Sequence, residues 1–251
     1  MKPKVGVFDF TCCEGCELQI LNCEEEMPDL VAALDIVTFR EAMTERSDYY
    51  DIAFIDGACS RESEIGILHE IRERTEMVIP IGACACLGGV NCLKNSYPMD
   101  EVLKAEYGEA ARYYDTIPAR PISAVIPIDF YIPGCPIVKE EFIRVVQEIL
   151  AGRTPYQPND PVCAECKVVG NICVFDKGMT CLGPVTRGGC KATCVNGGAI
   201  CWGCRGLIDE PNINAEEEIL EKAGLSAKDI VKKFDLFNVC QESMWERKRL
   251  T

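Results

Sequence analysis

Short apolar runs alternate with amphipathic stretches through the first 150 residues. Val5–Phe10, Leu34–Phe39, Asp51–Asp56 and Met77–Ile81 are brief, nearly continuous apolar segments, and Ala124–Ile128 or a little beyond offers a fifth. Runs of this length read as strands buried on both faces. Between them the period changes. Glu17–Met27 presents Leu18, Ile20 and Leu21, and Pro28 reads as its stop. Ser60–Arg74 carries Ile65, Leu68 and Ile71, with Ser60 and Ser63 as a weak cap. Val138–Leu150 places Phe142, Val145, Val146 and Ile149 on one side. Strands alternating with helices predict an α/β fold with a parallel, doubly wound sheet.

The pattern stops at Arg153–Pro161, where three prolines break any periodicity, and this stretch reads as a linker. Residues 162–206 hold eight cysteines and nine glycines and leave little room for an ordinary core. A segment of that kind folds around metal. From Leu207 onward two short helices are expected, with capping signals at Asn214/Glu217 and Ser226/Asp229. Leu220, Ile230, Val231, Phe234 and Leu236 are expected to pack back onto the body. The expected organisation is therefore 1–152, 162–206 and 207–251.

Composition narrows the chemistry. A net charge of -14 speaks against nucleic acid or an anionic membrane as the main partner, since both call for a basic face. No apolar run reaches the length of a membrane span, and the N-terminus shows no signal-peptide pattern. The expected location is the cytoplasm. There, 18 cysteines are poor disulfide material and good metal ligands. A single histidine, His69, disfavours mixed Cys/His sites. Sulfur-only ligation points to zinc or iron–sulfur clusters.

The N-terminal cysteines follow the predicted strands. Cys12, Cys13 and Cys16 come after the first, Cys59 after the third, Cys84 and Cys86 after the fourth, and Cys135 after the fifth. Ligand sites in open α/β sheets lie beyond the carboxyl ends of strands. Thiols distant in sequence are therefore expected to meet at that edge and form a four-thiolate site. The glycines of 82–89 match neither the dinucleotide fingerprint nor the phosphate loop, so they read as close backbone packing beside a cluster, and no flavin or nicotinamide site is expected in this chain. Cys23, Cys92 and Cys240 read as small buried hydrophobes.

The second array comprises Cys163, Cys166, Cys173, Cys181, Cys190, Cys194, Cys201 and Cys204. It divides into two sets of four. Glycines among them free backbone N–H groups to approach sulfur, which suits iron–sulfur clusters. Two zinc knuckles are the alternative, and spacing alone does not divide the eight between sites.

Five motifs together have a familiar form: Cys13-Glu14-Gly15-Cys16-Glu17, the Gly82–Gly89 stretch, Pro133-Gly134-Cys135-Pro136, Cys181-Leu182-Gly183-Pro184-Val185-Thr186 and Cys201-Trp202-Gly203-Cys204-Arg205-Gly206. The chain resembles the small, electron-transferring subunit of [NiFe] hydrogenases, in the cytoplasmic, cofactor-coupled group. The resemblance implies a flavodoxin-like domain and three [4Fe–4S] clusters, with iron held only through cysteine. By motif, Cys13, Cys16, Cys84 and Cys135 would hold the proximal cluster. Cys163, Cys166, Cys173 and Cys181 would hold the distal one, and Cys190, Cys194, Cys201 and Cys204 the medial one. Periplasmic relatives use a histidine where this chain has Cys163, and a three-iron medial cluster where Cys194 here adds a fourth thiolate.

The same resemblance implies a large subunit bearing the nickel–iron site, and further redox subunits linked to flavin, NAD(P), F420 or ferredoxin. The large subunit's nickel-binding cysteine pairs are missing here, so no catalytic residue is expected in this chain. A related alternative is the cluster-bearing subunit of respiratory complex I, which uses adjacent cysteines such as Cys12 and Cys13. Neighbours in an extended chain point to opposite sides, and Gly15 allows a tight turn. Cys13 and Cys16 are therefore expected to ligate, with Cys12 a bystander.

Overall fold

The computed structural model describes residues 2–241. Four parallel strands form one sheet: β1 (Lys4–Asp9), β2 (Asp35–Phe39), β3 (Tyr50–Asp56) and β4 (Thr75–Ile81). Their order is β2-β1-β3-β4, the start of the flavodoxin-like order. Among the described residues there are ten α-helices. Six belong to the first 150 residues: α1 (Gly15–Leu21), α2 (Met27–Ala33), α3 (Glu62–Glu73), α4 (Gly82–Leu87), α5 (Met99–Tyr107) and α6 (Lys139–Leu150). Four follow: α7 (Val162–Val168), α8 (Thr193–Asn196), α9 (Ile213–Lys222) and α10 (Ala227–Asn238).

Alternation along the strands feeds two cores. Val5, Val7, Ile52, Phe54, Ile79 and Ile81 face α1, α2 and α6, where Ile20, Leu30, Phe142, Val145 and Val146 meet them. Ala53, Ile55 and Val78 face the other way, against Leu68 and Ile71 of α3. The sheet is thus covered on both sides, as a doubly wound sheet requires. Leu220, Ile230 and Phe234 form a smaller core with Leu182 and Val185, which seats α9 and α10 on the cysteine-rich segment.

Several local expectations are corrected. Pro28 does not stop a helix; it stands in the first turn of α2, where its missing N–H has no intrahelical partner to lose. The fifth strand expected at Ala124–Ile128 or a little beyond does not form over Ala124–Ile128. Ile122–Ala124 is a 3-10 turn. The sheet edge is instead met by residues 129–132, with Asp129 N donating to Val78 O (3.0 Å) and Ile132 N to Pro80 O (2.9 Å). Ile132 makes one parallel bridge to Ile81. Pro127 and Pro133 bracket this segment and cannot donate to a ladder. The cap of α3 is not made by Ser60 and Ser63: Glu64 reaches back, and Ser60 N (2.7 Å) and Arg61 N (3.0 Å) donate to it. The cap of α9 is Asn212, which accepts from Ala215 N at 3.1 Å, rather than Asn214. Ser226 caps α10 as expected. Val231 faces solvent. Cys23 is a buried hydrophobe, but Cys92 and Cys240 are joined in a disulfide.

Candidate cluster-binding site

The carboxyl edge of the sheet gathers the N-terminal thiols. The loop after β1 is pinned to the loop after β3: Thr11 N donates to Ala58 O (3.2 Å) and Ala58 N to Thr11 O (2.9 Å). Gly57 has φ +91 and lies against the backbone of Phe10 and Thr11, closer than any Cβ could stand. The start of α4 is tied to the 132–135 segment, with Gly82 N donating to Ile132 O (2.8 Å) and Ala83 N to Gly134 O (2.6 Å). This places Cys84 beside Cys135.

Electrostatics show which thiols are neighbours. Burial, the Asp56 carboxylate and the Cys135 and Cys13 thiols push Cys84 up to about 12. Cys13, Cys84 and Cys135 therefore form one group. Cys16 sits deeper, under Gly82 and beside Asp56, where a methyl on Gly82 would overlap its Sγ. Burial and Asp56 push its thiol up, with smaller contributions from Cys86 and Cys84. Cys12 also lies in the field of Asp56 and Cys84, and its Sγ donates to Phe10 O at 3.6 Å. Cys86 donates to Pro80 O (3.4 Å), turned away from the group. Cys59 is buried in the core beneath α3.

The cysteine-rich segment forms two further groups. Burial, then the thiols of Cys181, Cys166 and Cys173, push Cys163 up to about 12. Cys163 thus lies near the other three cysteines expected to act with it. Gly183 is their cradle. A Cβ there would stand 3.2 Å from Cys163 Sγ and 3.4 Å from Cys181 Sγ. Its N–H donates to Cys181 Sγ at 3.4 Å, and Cys201 N–H does so at 3.3 Å.

The third group lines a cavity of about 570 Å³. Cys190, Cys194, Cys201 and Cys204 face this space, and so does Cys135 from the sheet edge. Burial raises Cys204 to about 12, with the Cys190, Cys135 and Cys194 thiols adding to it and the Cys135 backbone N–H opposing it.

These groups fit polynuclear iron–sulfur centres. Crowded thiols repel one another's ionisation, and cations among them reverse that penalty. Glycines and backbone N–H groups stand where sulfur needs close, polar but uncharged neighbours. Among the described residues no three metal-ligating side chains close on a point for one ion.

Several residues here were not singled out from the sequence. Arg205, one residue after Cys204, is buried and donates to Gly188 O (2.6 Å), Pro133 O (2.5 Å) and both oxygens of Glu141 (2.7 and 2.8 Å). Glu17 is buried without a hydrogen-bond partner, and burial with Asp9 and Asp56 pushes it to about 8. Glu216 is likewise buried and unpartnered. The available signal was a carboxylate on an apolar helix stripe: Glu141 lies four residues before Val145, and Glu216 four before Leu220. Charges at such positions are rare unless they are paired or functional.

Comparison with known proteins gives the site a context. Residues 13–149 match the family model described as NADH ubiquinone oxidoreductase, 20 Kd subunit. Sulfhydrogenase 2 subunit delta of Pyrococcus furiosus is 35% identical, over 93% of this chain and 98% of that protein. A subunit of the F420-non-reducing hydrogenase vhu of Methanococcus voltae is 30% identical, over 83% of this chain and 84% of its own. Among solved structures, a reduced, active Ni-Fe-Se hydrogenase from Desulfomicrobium baculatum aligns with a TM-score of 0.57 at 13% identity, covering 87% of this chain and 98% of that one.

Proposed function

Given that the chain belongs to the NADH ubiquinone oxidoreductase 20 Kd subunit family, and is a hydrogenase-type subunit within it, we propose that it relays electrons between the nickel–iron site of a large subunit and further redox subunits, in the cytoplasm. Three [4Fe–4S] clusters would be held by this chain: the proximal by Cys13, Cys16, Cys84 and Cys135, the medial by Cys190, Cys194, Cys201 and Cys204, and the distal by Cys163, Cys166, Cys173 and Cys181. When bound, such clusters take up and release single electrons.

One observation carries this reading: the three thiol groups adjoin in series. Cys135 of the sheet-edge group shares a cavity with the 190–204 group. Cys201 of that group donates its N–H to Cys181 of the last. The chain's share of the work is to ligate, to fix spacing, to exclude water and to aim N–H groups at sulfur. Among the described residues no helix is long and apolar enough to cross a membrane.

Purification of the native complex tests the proposal. Iron and acid-labile sulfide should be found in this chain, and nickel in a co-purifying subunit. Zinc in place of iron would favour a structural metal module. Iron and sulfide without a nickel-bearing partner would favour the complex-I-type role.

A further inference from the structure

The C-terminal helices bring a lysine and a buried carboxyl, which burial pushes up to about 7, to the seam between the last two thiol groups. α10 packs on the Cys201–Cys204 turn: Gly203 has φ +84, and a Cβ there would stand 3.2 Å from Leu182 Cδ1 and 3.5 Å from Asn238 Nδ2. Ile230, Phe234 and Phe237 form the buried face of this helix. Lys233 lies at the edge of that face. Its Nζ stands 5.0 Å from the centre of the Trp202 ring, and Trp202 is the residue between Cys201 and Gly203. Opposite, α9 contributes Glu216, 1% exposed and with neither carboxylate oxygen hydrogen-bonded. Leu220, one turn on from Glu216, shares a core with Phe234.

The location is informative because Cys181 and Cys201 meet there. Burial lowers the pKa of Lys233, and the charges of Cys181, then Cys201, then Glu216 oppose that shift, so its ammonium lies within the field of both cysteines. A half-buried ammonium seated over a ring is not a freely solvated lysine. Its interactions with other charges are screened less than those of a surface lysine.

We propose that Lys233 sets the reduction potentials of the two centres bound by the 163–181 and 190–204 cysteines, with the Trp202 ring holding its ammonium at the seam between them. The inference rests on the cluster reading above. An added electron makes a thiolate-ligated centre more negative, so a fixed cation nearby favours the reduced state. A single positive charge at the seam acts on both centres and draws their potentials upward together. Lys233 touches neither reacting atom nor substrate; it is a positioning charge.

Redox titration of the purified complex, followed by EPR, tests this. Lys233→Gln keeps a long polar side chain and removes only the charge. It should lower the midpoints of both centres by about tenfold in the reduction equilibrium, which is 59 mV for a one-electron couple. Lys233→Arg should stay within about twofold of wild type. Trp202→Leu removes the ring but keeps the cation, and should shift both midpoints the same way by about threefold. A cluster-replete Lys233→Gln protein with wild-type midpoints would overturn the inference. If that variant does not assemble, unchanged midpoints in Trp202→Leu do the same. Wild-type protein without iron and sulfide would instead sink the cluster reading on which the inference stands.

Discussion

Arg205 and Glu141 meet as a two-point ion pair, Nη1 to Oε2 at 2.7 Å and Nη2 to Oε1 at 2.8 Å, with both side chains buried. The same guanidinium holds the carbonyls of Pro133 and Gly188. One residue therefore ties the loop before Cys135 to the loop before Cys190. A planar fork with five donors suits that task, and a lysine does not.

Removing one partner strands the other as a buried charge. Arg205→Met and Glu141→Gln should each destabilise the protein by about 3–5 kcal/mol, read by denaturant unfolding of the purified complex. Arg205→Lys should recover only part of that loss. Equal stability of Arg205→Met and wild type would mean the pair is not formed in solution.

The N-terminal ligands can be separated by iron content. Cys16→Ser should lose one cluster's worth of iron, whereas Cys12→Ser should keep the full amount. The opposite pattern would assign the tandem Cys12–Cys13 arrangement of the complex-I-type subunit.

Much of this architecture was legible in the sequence. The four strands are short, apolar and flanked by turn residues, so their positions follow from pattern alone. The edge segment at 129–132 was not, because its backbone pairing comes from β4 while prolines interrupt its own pattern. That cysteines gather at the sheet edge and in the 162–206 segment was legible in the sequence, but spacing alone did not divide the eight of that segment between sites. Arg205 with Glu141, and Lys233 with Glu216, were not, because their meaning arises only when distant segments fold together. The same holds for Cys92 and Cys240, which are separated by 148 residues.

Gly183 offers a test of the cradle without backbone strain, since its φ is not in the left-handed range. Gly183→Ala puts a methyl against Cys163 and Cys181. The EPR signal of the 163–181 centre should broaden or be lost while the proximal signal persists. An unchanged spectrum would show that these two thiols do not close around Gly183 in the loaded protein.

Cys194 is the expected fourth ligand of the medial centre. The as-isolated, undamaged wild-type protein should show no three-iron EPR signal, and Cys194→Ser should produce one. A three-iron signal in the wild type would remove Cys194 from the ligand set.

The disulfide predicts a dependence on reductant. It closes a 148-residue separation, and cross-links over long loops contribute about 2–5 kcal/mol. The wild-type melting temperature should fall on reduction, and that of Cys240→Ser should not respond. Equal responses would show that the bond does not form.

The reach of Arg205 also bears on how freely this protein's parts can be exchanged. The proline-rich stretch at 153–161 invites a swap of everything beyond it, as if the cysteine-rich half were a cassette. Yet the guanidinium that follows Cys204 is anchored to Glu141 and to the carbonyl of Pro133, both upstream of that junction. A transplanted half would arrive with an unpaired buried cation unless its new host supplied a carboxylate at the same place on α6. Modularity here is set by where the ion pair closes, not by where the chain looks easiest to cut.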